Sequence, residues 1–286
     1  MSEAVLNGLM LGGVYALMAL GLSLIFGVLR LINLAHGELV VGGSYLAFFA
    51  GQHLGLGPFI AAPIVVIVAM AIAYLLQRGI LNSLLLRGST GALVGTFGIS
   101  LLIQGALAAG FSFQSKSLQS STATTGIDVF GVRTRQIYVV AFVVGALLCA
   151  VTHLVLTRTR VGAVVRAAAA DPVTAGLMGI NVRRVYALTF SVAAGIAALS
   201  GVLVGTAFGF TPSSGAQYLV IGIAVVVLGG VGDVLGTFLG AIGLGLVQSI
   251  AAEQFGGGYR DLAVYILFFA ILVTRPQGLL SRKALG

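Results

Sequence analysis

The sequence predicts an all-α polytopic membrane protein with about eight to ten transmembrane helices, some short or broken, and a helix on its cytoplasmic side. Three observations lead there. Of 286 residues, 59% are hydrophobic and only 8% charged, where a soluble domain carries roughly 25% charged residues; mean hydropathy is +1.13. The apolar residues fall in long runs, and the basic residues gather at the ends of those runs, as the positive-inside rule requires. Glycine reaches 42 residues, about twice its usual share, and in lipid small residues let helix backbones approach closely.

The net charge of +8 therefore reads as membrane topology, and no nucleic-acid partner is expected. The single cysteine, Cys149, lies inside an apolar run, so no internal disulfide is expected. No basic region precedes the first apolar run, so that run is expected to remain as a span rather than be cleaved. Residues 1–286 read as one transmembrane domain.

Ala4 to Leu29 holds 26 residues without a charge, and Arg30 ends it. The next apolar run, Leu39 to Gly51, has only 13 residues, about 20 Å as a helix. Asn33, His36, Gly37 and Glu38 precede it, so a second span broken near Gly37 is expected, as transporter helices often are. Pro58 to Leu76 is a third span, followed by a connection holding Arg78 and Arg87, and Gly91 to Phe111 a fourth. Residues 112–136 are polar, rich in Ser and Thr, and expected as a periplasmic loop. Its Ser115-Lys116-Ser117 has the ending of a phosphate-binding loop, with Gly110 five positions ahead. Ser115 stands where that loop needs glycine, and no strand–loop–helix context surrounds it, so no ATP site is read there.

Ile137 to Leu156 is a fifth span. Val185 to Phe210 is a sixth, with Gly201, Gly205 and Gly209 at a spacing that aligns them on one helix face. Ala216 to Val231 and Val234 to Ala252 follow, parted only by Gly232-Asp233, as two spans on a tight turn or as broken helices. Gly232, Gly236 and Gly240 repeat the four-residue spacing, and both rows read as packing seams. The last run, Leu262 to Thr274, is short, so Tyr259, Arg260 and Asp261 are expected in its first turn; Arg275-Pro276 stops it. No internal repeat is evident. Nine crossings with the N-terminus outside place eleven Lys/Arg in cytoplasmic connections and leave four outside, Lys116, Arg133, Arg135 and Arg260. The C-terminus is then cytoplasmic.

Residues 157–184 hold five of the fifteen basic residues, Arg158, Arg160, Arg166, Arg183 and Arg184. The segment is written as helix. Val161 to Ala170 is alanine-rich. Asp171-Pro172 reads as an N-cap with proline at the first helical position, and Gly179 suits a left-handed C-cap. Asp171, Ala175 and Gly179 recur at one-turn spacing and are expected on one face. Such a capped helix is either offered to a partner or a tidy connector between spans.

Three stretches carry a resemblance: NGLMLGGVYALMALGLSLIFGVLRLINLAHGE (Asn7 to Glu38), RVGAVVRAAAADPVTAGLMGIN (Arg160 to Asn181) and VVLGGVGDVLG (Val226 to Gly236). Over nearly its whole length the chain resembles the permease subunits of bacterial ABC importers for branched-chain amino acids, the LivH type. The resemblance implies an inner-membrane permease paired with a related second permease of the LivM type. It implies two cytoplasmic ATPase subunits that hold the ATP and magnesium, and a periplasmic binding protein that delivers substrate. This chain would bind no cofactor itself and would not be an enzyme. Asp171 to Gly179 matches the coupling helix that docks into the ATPase, with Arg166, Asp171, Pro172, Ala175 and Gly179 as its residues. Asp233 departs from the pattern, since relatives usually carry Ser or Asn there.

Ionisable groups inside a membrane are functional candidates. Glu38 and His36, with Asn33, are candidates for the translocation path; solvated residues at the interface are the alternative. Gln104 and Gln248 lie mid-span, where interhelical hydrogen bonding explains them as well as a path does. Asp261 is placed to pair with Arg260. His53 and His153 stand alone, so no metal site is expected. The competing functions are transport of urea, short amides or other small polar solutes by the same kind of permease, and an ion-coupled secondary transporter using Glu38 and His36. An intramembrane enzyme finds no nucleophile–base pair.

Overall fold

A chain in lipid has to satisfy its backbone internally, so long apolar runs become helices. The computed structural model describes residues 2–85, 89–129 and 131–274. The first helices are α1 (Ser2–Leu29), α2 (His36–Leu54) and α3 (Pro58–Leu76). A π-helical segment, Gln77–Leu81, carries α3 into α4 (Asn82–Leu85), and α5 (Ser89–Phe111) follows. Next come α6 (Ser121–Thr124), strands β1 (Gly126–Val129) and β2 (Val132–Arg135), and α7 (Gln136–Arg158). The rest comprises α8 (Arg160–Ala170), α9 (Pro172–Leu177), α10 (Val182–Ala207), α11 (Ser214–Gly229), α12 (Val234–Phe255) and α13 (Arg260–Thr274). Arg87, Arg275, Pro276, Arg282 and Lys283, which the sequence reading uses for topology, lie outside the described residues.

Among the described residues 7 helices are long and apolar enough to cross a membrane. The other two expected crossings are α2, with His36 and Glu38 in its first turn, and α11, with only 16 residues. The protein is thus an all-α polytopic membrane protein. α1 and α10 are its buried centre, while α3, α5, α7 and α13 turn residues such as Ile67, Leu102, Leu147 and Phe269 outward. α1 and α12 run antiparallel, with Gly8 against Leu246, Gly12 against Ile242 and Gly27 against Gly232. Each glycine here replaces side-chain bulk with backbone contact, the packing that lipid-embedded helices favour.

The two ends of the bundle differ in charge. Arg30, Arg78, Arg158, Arg160, Arg166, Arg183 and Arg184 lie at one end, which we call the basic end. The other end holds the start of α1 and residues 112–129 and 131–135, joined by a hydrogen bond from Thr134 Oγ1 to Asn7 Oδ1 (3.3 Å). There Lys116 and Phe210 exchange backbone hydrogen bonds of 2.9 and 2.8 Å.

Three local expectations need correction, and one open alternative is decided. The loop read as plain polar connection contains the antiparallel hairpin β1–β2, paired from Gly126↔Arg135 to Val129↔Val132. Ile127 and Val129 alternate with Asp128, and Gly131 supplies φ 80° at the turn, so the pattern of a short hairpin was there. Gly209 is not on the sixth helix, because Phe208 is extended (φ −133°, ψ 161°) and ends α10 at Ala207. Between α11 and α12 the structure has the tight turn, one of the two alternatives read there, so Gly232 is not helical. With Gly230 (φ 102°) it forms a tight turn at φ 78°, and Asp233 caps α12 by accepting from Leu235 N (3.1 Å). A carboxylate serves that role as well as Ser or Asn, so the departure at Asp233 changes nothing locally. Finally, α2 is continuous through Gly37. The irregular stretch is residues 30–35, ahead of the helix.

Candidate functional site

α2 starts deep inside the bundle. The His36 Nε2 atom lies 2.8 Å from the carbonyl oxygen of Met18, eleven residues before the end of α1, or about 16 Å in from that end. Residues 30–35 return over that depth, and an extended chain covers about 3.3 Å per residue. The part of this stretch nearest α2 is hydrogen-bonded within the protein, which is how irregular chain survives at membrane depth. Leu34 N donates to Thr96 Oγ1 of α5 (3.2 Å), Ala35 N to Asn33 Oδ1 (3.1 Å), and His36 N to Asn33 O (3.1 Å). Asn33, fully buried, is therefore the residue that turns the chain into α2.

The start of α2 meets the start of α11. A Cβ at Gly37 would overlap the carbonyl of Gly215, and a Cβ at Gly215 would overlap the Glu38 carboxyl group. Glu38 is 3% exposed and its Oε2 has no hydrogen-bond partner. Its carboxyl group sits in the first turn of one helix and against the first turn of another, where both helix dipoles favour negative charge. The solvated-interface alternative does not hold for Glu38 or His36, since both are buried in the protein. Beside them a cavity of about 480 Å³ opens between α2, α3 and α5, with Glu38, Gly42, Tyr45, Phe49, Ile72 and Phe111 among its walls.

The other two polar candidates do not join this junction. Gln248 on α12 accepts a hydrogen bond from Tyr15 OH and donates to Asp261 Oδ1 (3.2 Å), tying α1, α12 and α13 together. Asp261, expected beside Arg260, thus has Gln248 as a partner. Gln104 lies half-exposed on the outer helix α5. Of the glycine rows, Gly201 and Gly205 pack on Val40 and Ser44 of α2, and Gly236 and Gly240 pack on Gly229.

The second candidate is the loop at the basic end. Thr159 caps α8 by accepting from Gly162 N (3.1 Å), and the hairpin between α7 and α8 is so tight that a Cβ at Gly162 would strike the carbonyls of Val155 and Leu156. Val165 and Ala169 pack α8 onto the cluster around Leu24 and Leu29 of α1. Asp171 caps α9, its Oδ1 accepting from Val173 N (2.9 Å) and Thr174 N (3.1 Å). The Thr174 hydroxyl first, then the two N–H groups, hold its carboxyl below the usual aspartate range. The cap contribution is thus complete above the ordinary value and lost only as pH falls through the lowered one, so it is intact at neutral pH. At the far end Gly179 takes φ 85°. Ile180 N bonds to Ala175 O and Gly179 N to Gly176 O, both 3.0 Å, which is a Schellman closure. Asn181 then caps α10 through Arg184 N (3.0 Å). There is no slack between α8 and α10.

Ala175 does not share an outward face with Asp171 and Gly179. It is 5% exposed and points back into the loop, because the closure at Gly179 folds Ile180 under it. The outward surface is apolar: Val173 is 73% exposed, Leu177 84% and Met178 79%. The one-turn spacing from Asp171 drew attention to the wrong side of a six-residue helix; the apolar residues at 173, 177 and 178 were the available signal. Arg166 faces a different place, a cavity of about 290 Å³ shared with Ser23, Gly27, His153 and Asp233.

Comparison with known proteins now bears on these features. The family model described as branched-chain amino acid transport system / permease component matches residues 4–273. The chain is 32% identical over 295 residues to the high-affinity branched-chain amino acid transport system permease protein BraD of Pseudomonas aeruginosa, covering 98% of this chain and 95% of that protein. It is 28% identical over 296 residues to LivH of Escherichia coli K12, with 98% and 95% covered. It is 26% identical over 292 residues to LivM of the same organism, with 93% of this chain and 68% of LivM covered. No solved structure matches. The chain belongs to the family of branched-chain amino acid transport system permease components.

Proposed function

We propose that this chain is one of two related permease subunits of an ATP-driven importer for branched-chain amino acids, set in a bacterial inner membrane. A binding protein would deliver leucine, isoleucine or valine at the end that carries residues 112–135, and two ATPase subunits would drive the cycle from the basic end. The names of BraD and LivH support the substrate class, and the similarity to LivM supports a related partner permease. The observation that carries the coupling is α9, a helix capped at both ends whose outward side chains, Val173, Leu177 and Met178, are apolar and exposed. Exposed apolar groups on so rigid a mount are a docking surface. Because α8 packs on α1 and Asn181 caps α10 directly after the α9 closure, movement of α9 would reach the buried centre directly. Glu38 gives no independent support to ion coupling, since two helix N-termini already account for a buried carboxyl group.

Sidedness is tested with single cysteines in a Cys149→Ala background. Ser121 and Ala170 are both exposed. An impermeant thiol reagent on intact cells is expected to label Ser121→Cys and to reach Ala170→Cys only after lysis. Labelling of position 170 alone in intact cells would invert the proposal.

A further inference from the structure

A cavity of about 570 Å³ opens at the basic end between the end of α3 and the start of α10. Tyr74, Arg78, Asn82, Ser83, Arg183 and Arg184 line it, together with Asn181. Every one of these side chains is polar, three are cationic and none is acidic. Arg183 and Arg184 occupy the first turn of α10, where the helix dipole already disfavours positive charge. The walls are held in place independently of any ligand. Gln77 Nε2 donates to Asn82 Oδ1 (3.1 Å), and Asn82 Nδ2 to the Arg183 carbonyl (3.3 Å), so the π-helical segment is bound to the start of α10. The backbones that carry Arg78, Arg183 and Arg184 are thereby held around one cavity, which all three side chains line.

The surface beneath the cavity is equally specific. α3 and α10 run antiparallel, fastened where Ser191 Oγ donates to Met70 O (2.7 Å) and Gly195 lies on Val66 and Met70. Directly below the arginines, Leu75 of α3 (68% exposed) and Leu188 and Val192 of α10 (50% and 42%) face outward. Leu75 precedes Arg78 by three residues, and Leu188 and Val192 follow Arg184 by four and eight, so the apolar strip shares helix faces with the arginines and has the layering of a phospholipid. We propose that this cavity binds the phosphate of an anionic phospholipid, its acyl chains lying along Leu75, Leu188 and Val192. Basic pockets between transmembrane helices on the cytoplasmic side recognise such headgroups. The side assignment rests on the proposed topology; the lipid chemistry does not. Since Asn181 borders both the cavity and the α9 loop, the bound lipid would brace the mount of the docking helix.

The test is native mass spectrometry of the full chain, copurified with its permease partner, titrated with phosphatidylglycerol or phosphatidylcholine. One phosphatidylglycerol is expected to be retained about tenfold more strongly than phosphatidylcholine, because the arginines favour the anionic headgroup. Arg78→Gln/Arg183→Gln/Arg184→Gln should abolish that preference, and Arg158→Gln/Arg160→Gln should keep it. Ser83→Glu, which adds a carboxylate without removing an arginine, should also abolish it and guards against misfolding of the triple variant. Competition by inorganic phosphate as effective as by the lipid would make this a free-anion site and overturn the proposal. An unchanged preference in both cavity variants would show that the arginines are merely solvated. Loss of ATPase association without loss of lipid preference would assign the cavity to a protein contact instead.

Discussion

Val173→Glu/Leu177→Glu is expected to reduce leucine uptake to background while leaving insertion and pairing with the second permease unchanged. Both side chains stand free of this chain, at 73% and 84% exposure, so replacing them removes nothing from its own core. Burying one Val or Leu contributes about 1.5–3 kcal/mol. Losing two weakens the complex by roughly a hundred- to ten-thousand-fold, before the cost of pressing carboxylates into an apolar groove. Ala175→Arg is expected to fail differently. Position 175 is buried in the loop, so that change should unseat α9 itself and raise protease sensitivity near residue 176. The checks are copurification of the ATPases and uptake of labelled leucine at matched expression. Normal ATPase association in the double glutamate variant would remove α9 from the docking surface.

Gly37→Ala and Gly42→Ala are expected to move stability in opposite directions, although both lie on α2. At Gly37 a methyl group would fall on the carbonyl of Gly215, and backbone cannot swing aside as a side chain can. Overpacking of this kind costs about 1–3 kcal/mol or more, and here it would also prise apart the two helix N-termini that hold Glu38. At Gly42 nothing lies within 4 Å of the added atom, so the change should gain up to about 1 kcal/mol of helix propensity. Thermal unfolding of the detergent-solubilised complexes, followed by size-exclusion chromatography, reads both. A Gly37→Ala protein as stable as the parent would mean that α2 and α11 do not meet as described.

Much of this architecture was legible in the sequence, because membrane helices announce themselves through run length and charge placement. Arg30, Gly179 and Pro172 marked their boundaries correctly for local reasons: each acts on its own backbone. What stayed hidden depends on a neighbour distant in the chain. The stretch around Gly37 read as a break because polar residues precede a short apolar run, yet Gly37 is there for Gly215, 178 residues away in a helix that begins at the same depth. For Gln248 the interhelical hydrogen-bonding reading is the one the structure shows, but its partners, Tyr15 and Asp261, were not legible. The four-residue spacing of Gly201, Gly205 and Gly209 looked like one seam until Phe208 left the helix to let Phe210 pair with Lys116. Ala175 was misplaced because spacing gives an angle on a helix and not the direction in which the helix is mounted.

The central claim is that an ATPase, gripping α9, drives branched-chain amino acids through this chain and its partner. The most direct measurement is uptake of labelled leucine into vesicles holding the purified complete assembly, with ATP on the ATPase side and binding protein on the other. The account predicts leucine accumulation that needs both ATP and binding protein, and its loss when the permease carries Val173→Glu/Leu177→Glu. Accumulation driven by a proton or sodium gradient without ATP, or undiminished in the double variant, would contradict it.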